Sequence, residues 1–125
     1  MLNLDLLILR NKFINFVVPS GRGDIQKIKR FNKRFNLIDE SYNANPSSML
    51  SAINNMNYYK LKNKGKKIVF LGDMLELGKK SKMFHRKLSQ TINKSDIDKT
   101  FVYGKHIKET FSFLSSNKKG KIFNN

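Results

Sequence analysis

The run Lys67-Ile68-Val69-Phe70-Leu71-Gly72-Asp73 decides the fold of this 125-residue chain. A short, continuous apolar stretch that stops at Gly-Asp is the pattern of a buried parallel strand. Upstream of it, Met49, Leu50, Ile53, Met56 and Tyr59 (or Leu61) recur at helical spacing, with Ser47 or Ser48 able to cap the helix. Downstream, Phe84, Leu88 and Ile92 stand at i, i+4 and i+8 and predict a second helix. Thr100-Phe101-Val102-Tyr103 predicts the next strand. Ile107, Phe111 and Leu114 predict a third helix, and Lys121-Ile122-Phe123 begins one more strand. Helices and strands that alternate in this way build an α/β domain, a mostly parallel sheet with flanking helices. Residues 24–41 precede it and read as a β-hairpin turning at Asn32-Lys33. Residues 1–20 read as a helical or extended tail and a short strand, broken by Pro19-Ser20-Gly21. The first segment has no partner and the last strand no following helix, so the chain reads as truncated at both ends.

Composition limits what such a chain can do. Its 25 Lys+Arg against 9 Asp+Glu give a formal net charge of +16. That balance raises a small basic nucleic-acid-binding module as one reading. Yet lysines outnumber arginines 20 to 5, and Lys, Asn, Ile and Phe together make 56 of the 125 residues. All four have AT-rich codons, so compositional drift accounts for the charge. Recognition of bases and phosphates favours Arg instead. A nucleic-acid module also needs aromatics exposed for stacking, whereas Phe70, Phe84 and Phe111 fall at core-like positions. The Lys pairs at 66-67, 79-80 and 118-119 read as a solvated rim. No apolar run approaches the about 18 residues needed to span a bilayer, and the N-terminal stretch does not read as a signal peptide. With no cysteine and two histidines, thiolate chemistry and a histidine-rich metal site are excluded.

Three constellations carry candidate chemistry. Gly21-Arg22-Gly23 lets the backbone turn tightly and presents a guanidinium, whose fork suits phosphate oxygens. In the second, the strand Leu37-Ile38 runs into Asp39-Glu40 and then Tyr42, Asn43 and Asn45, with Pro46 setting the loop before the helix. Acids at the C-terminal end of a strand sit where α/β sheets meet ligands. Glu40 can accept from ribose hydroxyls, and the carboxamides match an adenine edge. The plainer reading is an Asx-rich turn that caps the helix. The third is Asp73 and Glu76, three apart and so on one face of a turn, with His85 approaching from the next helix. Its plainer reading is capping carboxylates and a surface histidine. No Gly-x-x-x-x-Gly-Lys-Ser/Thr loop and no Gly-x-Gly-x-x-Gly fingerprint is present.

Taken in order, these motifs resemble one family. LIDESYNANPSSM at 37–49 and FLGDMLELG at 70–78 with His85 after it resemble hallmarks of Mur ligases of the MurF type, the UDP-N-acetylmuramoyl-tripeptide:D-alanyl-D-alanine ligases. Gly21-Arg22-Gly23 resembles the junction between the family's central ATPase domain and its Rossmann-like C-terminal domain. The resemblance covers about residues 13–115. It implies that residues 1–20 are the tail of the central domain and residues 21–125 a C-terminal domain incomplete at its end. It also implies that Arg22 reaches the ATP phosphates and that Glu40, where many relatives carry Asp, contacts ribose. Tyr42, Asn43 and Asn45 would line the nucleotide side of a cleft, with Asp39, Asp73, Glu76 and His85 as substrate-cleft candidates. The implied reaction is ATP-dependent amide formation through an acyl phosphate in the bacterial cytoplasm. Its partners are D-Ala-D-Ala, UDP-MurNAc-tripeptide and the rest of the ligase chain. The P-loop and the Mg²⁺ ligands are expected on the central domain, so the isolated chain is expected to be inactive.

Overall fold

The computed structural model describes residues 17, 19–61 and 65–124. The chain divides into two units, residues 1–42 and 43–125. The expectation of a tail over residues 1–20 falls almost wholly outside the described residues.

The first unit is a hairpin. Strands β1 (Asp24–Arg30) and β2 (Lys33–Asp39) pair antiparallel, with Asp24 opposite Asp39 and Arg30 opposite Lys33. The turn is Phe31-Asn32, one residue earlier than expected. Both residues take positive φ, 50° and 57°. Two left-handed residues are what a tight two-residue loop needs to match the twist of its strands. Asn32 adopts that conformation readily; Phe31 does so less readily and stays 85% exposed, with the Arg30 guanidinium 5.3 Å from its ring.

The second unit is the expected α/β sheet. Helix α1 (Pro46–Tyr58) begins at Asn45. The cap is thus Asn45 and not a serine: its side-chain oxygen accepts from the Ser47 and Ser48 amides at 3.0 and 2.9 Å. Ser48 answers by accepting from the Asn45 amide at 3.1 Å, which completes a capping box. Then come β3 (Ile68–Leu71), α2 (Ser81–Lys94), β4 (Lys99–Tyr103), the short α3 (Lys108–Ser112) and β5 (Lys119–Phe123). The third helix is shorter than its periodicity suggests, with Ile107 and Leu114 just outside it, though both are buried.

The strands run parallel in the order β3-β4-β5. Right-handed crossovers between sequential neighbours place α2 and α3 on the same face. Beneath them lies the core of Ile53, Met74, Leu88, Ile92, Ile97, Val102, Ile107 and Leu114, with Phe84 and Phe111 packed against it. β3 is therefore not buried on both faces. Ile68 is 44% and Phe70 70% exposed, and Phe70 stacks on Phe101 at 5.1 Å. Phe101 in turn stacks on Phe123 at 6.1 Å.

Two lysines expected at a solvated rim instead tie the fold together. Lys67 is 5% exposed; its ammonium pairs with Asp96 and donates to the Asn57 carbonyl at the end of α1. The Lys118 ammonium donates to the carbonyls of Ser95 and Ile97, at 2.7 and 2.8 Å, where α2 ends. A cation there also meets the negative end of the helix dipole.

Candidate functional site

In the first unit the hairpin register brings residues 21–23 beside residues 39–42. The Gly23 amide donates to the Asp39 carbonyl at 2.7 Å, and the Tyr42 amide to the Gly21 carbonyl at 3.0 Å. Gly21 sits at φ +78°, and a Cβ there would lie 2.8 Å from the Tyr42 nitrogen, so only glycine fits this crossing. The Gly21 amide donates to the Asp24 carboxylate at 3.0 Å. Hydrogen bonds from the Gln26 side chain and this amide hold Asp24 below the usual carboxylate range.

These ties present Arg22, whose guanidinium lies 4.0 Å from the centre of the Tyr42 ring. Both side chains are exposed, and the stacking fixes the direction of the fork. Glu40 is also exposed, with its carboxylate beside Gly23. Asp39 differs: one of its oxygens accepts from the Ser41 amide at 3.0 Å, an Asx turn that shapes the loop. The unit thus groups Arg22, Glu40 and Tyr42 as available side chains.

In the second unit Asn43 and Asn45 open α1. The Asn45 oxygen is taken by the cap, and what it can still offer a ligand is its NH₂ group. Asp73 and Glu76 do not share a helical turn, because residues 72–77 form no helix. Asp73 faces residues 105–107: its carboxylate accepts from the Lys105 and Ile107 amides at 2.9 and 2.7 Å. Burial raises its pKa, but the amides of Ile107, His106 and Lys105 and the charge of His106 together outweigh this and lower it. A carboxyl with a depressed pKa adds stability above its ordinary value of 3.8 and loses it as the pH falls through the lower folded value. Asp73→Asn would turn an NH₂ toward an amide donor. Its expected cost is about 1–2 kcal/mol at neutral pH. The gap to the unsubstituted chain should narrow below about pH 4, as urea titrations at pH 7 and pH 3 would read.

His85 is not on the surface. It is 0% exposed, and its Nε2 accepts from the Met74 amide at 3.1 Å. Nδ1 then carries the proton and donates to the Ser81 carbonyl at 2.8 Å. Glu76 is exposed with φ +61° and lies at a hollow that His106 also lines. His106 did not stand out in the sequence; the signal was its place just after Gly104 in a chain with two histidines.

Residues 24–120 match the family described as Mur ligase, glutamate ligase domain. The chain belongs to the Mur ligase family. This Mur ligase domain is 38% identical over 124 residues to the UDP-N-acetylmuramoyl-tripeptide–D-alanyl-D-alanine ligase of Buchnera aphidicola subsp. Baizongia pistaciae, covering 99% of this chain and 25% of that protein. The ligase of the same name from Rickettsia prowazekii is 30% identical, covering 100% of this chain and 26% of its own. The chain therefore spans about a quarter of the length of these curated relatives. Among solved structures, MurF from Acinetobacter baumannii superposes with a TM-score of 0.75 at 24% identity, over 95% of this chain and 24% of that one. MurF from Thermotoga maritima in complex with ADP superposes with a TM-score of 0.69 at 22% identity, over 94% and 27%. These likenesses support the mixed α/β fold with its preceding hairpin. The family match is to a domain of ligases and lends nothing to a nucleic-acid module.

Proposed function

We propose that this chain acts as the C-terminal domain of the ATP-dependent ligase that adds D-Ala-D-Ala to UDP-MurNAc-tripeptide in the bacterial cytoplasm. The observation that carries the reading is that relatives of this name match over 99% and 100% of the chain. Residues 1–20 then belong to the tail of the central ATPase domain, and residues 21–125 to the C-terminal domain.

In this reaction an oxygen of the tripeptide carboxylate attacks the γ-phosphorus of ATP, and ADP leaves. The amine of D-Ala-D-Ala attacks the acyl phosphate carbon, giving a tetrahedral intermediate. The bond to phosphate breaks, the nitrogen loses its proton, and an amide remains. Arg22, aimed by its stacking on Tyr42, offsets charge on the phosphoryl oxygens. Glu40 accepts from ribose hydroxyls. Tyr42, Asn43 and the NH₂ group of Asn45 line the nucleotide. The exposure of Arg22, Glu40 and Tyr42 supports these roles. Among the described residues no three His, Asp or Glu side chains gather as a metal site. None of these steps is routed through Mg²⁺. Closure of the domains brings acyl phosphate and amine together.

The test mixes the 125-residue chain with the first two domains of a D-Ala-D-Ala-adding ligase and follows phosphate release with both substrates and ATP. Turnover should need both pieces. Arg22→Ala should lower it about 100-fold, and Arg22→Lys should recover only part, since a point charge does not replace a fork. Turnover by the 125-residue chain alone, or none by the pair, overturns the reading.

A further inference from the structure

We infer that the tip of the β1–β2 hairpin docks on an anionic lipid surface, with Phe31 entering the headgroup layer and the cations around it meeting lipid phosphates. The inference does not depend on the ligase reading.

The tip carries an unusual residue for a plain turn. Phe31 holds a left-handed position, φ 50°, where glycine or asparagine serves without strain. A bulky side chain there is a backbone outlier, and such outliers point from structure to function. The ring gains no burial in return. It is 85% exposed, with the Arg30 guanidinium 5.3 Å from its centre.

The strand register surrounds this ring with charge. Arg30 lies opposite Lys33, and Lys29 opposite Arg34. Paired residues share a face of the hairpin and successive residues alternate. One cation pair therefore stands on each face. At about 3.3 Å per residue the farther pair is about 7 Å behind Phe31, within the about 8–10 Å over which charge acts in physiological salt. Lys27 adds a fifth cation on the Lys29 face, and no acid occurs from Ile25 to Ile38. All five cations are exposed, and among the described residues none is in an ion pair. Phe35 and Leu37, on the Lys33 face, are also exposed.

An aromatic apex with cations on both faces fits a flat anionic surface. The ring enters the boundary between headgroups and acyl chains. The cations then stand at the level of the phosphates, where the arginine forks of Arg30 and Arg34 can each take two oxygens. Anionic headgroups give the cytoplasmic leaflet the negative potential that draws such a basic segment in. A nucleic-acid strand fits less well, because it is held in a groove with several stacking aromatics and the apex offers one.

Partitioning of the 125-residue chain onto phosphatidylcholine vesicles, with about one-third phosphatidylglycerol or none, tests this. Binding should need the anionic lipid. A net charge of +16 favours any anionic surface, so variants must locate the contact. Arg30→Gln with Lys33→Gln should weaken binding about 25-fold, at about fivefold per cation near the surface. Lys79→Gln with Lys80→Gln removes the same charge from exposed positions of the second unit and should weaken it far less. Phe31→Gly and Phe31→Asn keep every charge and suit the left-handed turn; each should weaken binding about tenfold. Phe31→Trp gives the chain its one tryptophan, whose emission should shift to the blue on anionic vesicles and be quenched by brominated lipid. Equal losses from the two double variants, unchanged binding by Phe31→Gly and Phe31→Asn, or a tryptophan that stays in water overturns the inference. So does tighter binding of a single-stranded oligonucleotide that depends on the same residues.

Discussion

Gly104→Ala is expected to destabilise the second unit by about 3 kcal/mol or more, measured by urea unfolding. Gly104 follows β4 at φ +136°, a region that L side chains rarely adopt. A Cβ there would lie 2.4 Å from one Asp73 oxygen and 2.8 Å from the other. Rotating Asp73 away does not relieve this cheaply, because its oxygens accept from the Lys105 and Ile107 amides. The variant must either strain the backbone or break charge-assisted hydrogen bonds, and each costs about 1–3 kcal/mol. A domain's whole stability is only about 5–15 kcal/mol. Because the clash is with Asp73, the cost should shrink when Asp73→Ala is already present. A variant that unfolds within about 0.5 kcal/mol of the original chain would mean that Gly104 and Asp73 are not packed as described.

His85→Ala is expected to cost about 3–4 kcal/mol. Two losses add. The ring is fully buried, so its removal leaves a cavity, and the Met74 amide loses its acceptor while Met74 itself stays buried. The Ser81 carbonyl loses the Nδ1 donor as well. His85→Phe separates the terms: it restores volume and leaves the amide unpaired, so it should recover part of the loss and no more. Hydrogen exchange gives the local reading. The Met74 amide should be protected in the original chain and exchange far faster in both variants. Equal protection in all three would contradict the hydrogen bond to Nε2.

What could be read from the residues, and what could not, follows physical lines. The run 67–73, the later strand strings and the helical spacings anticipated α1, α2, α3 and β3, β4, β5 of the second unit, because burial of one face imposes a period that sequence displays. Details that depend on competition between neighbours were missed. Asn45 and Ser47 are both good caps, and Pro46 at the first helical position decided for Asn45. Asn32 can serve at either position of a turn, and the strand register decided for Phe31-Asn32. The exposure of Phe70 was hidden for another reason. An apolar residue looks the same whether helices cover one face of its sheet or both, and that depends on strand order. Lys67 and Lys118 were hidden because an ammonium that ends a helix resembles one in water. In the site, the Arg22 and Glu40 motifs were legible as local strings. The stacking of Arg22 on Tyr42, twenty residues on, needed the hairpin to close. The assignment of Asp73 and His85 to internal hydrogen bonds needed contacts across more than ten residues.

The one-sided sheet has a consequence for how the molecule behaves in a crowd. The rings of Phe70, Phe101 and Phe123 stack on one another, with Phe70 70% and Phe123 41% exposed, and two apolar sheet faces pack about 10 Å apart. The formal charge of +16 opposes that approach. Its reach is about 10 Å at 0.1 M salt and about 3 Å at 1 M. The excess of lysines thus works as a colloidal barrier whose range matches the contact it blocks, and ionic strength becomes the control on whether one copy adheres to another.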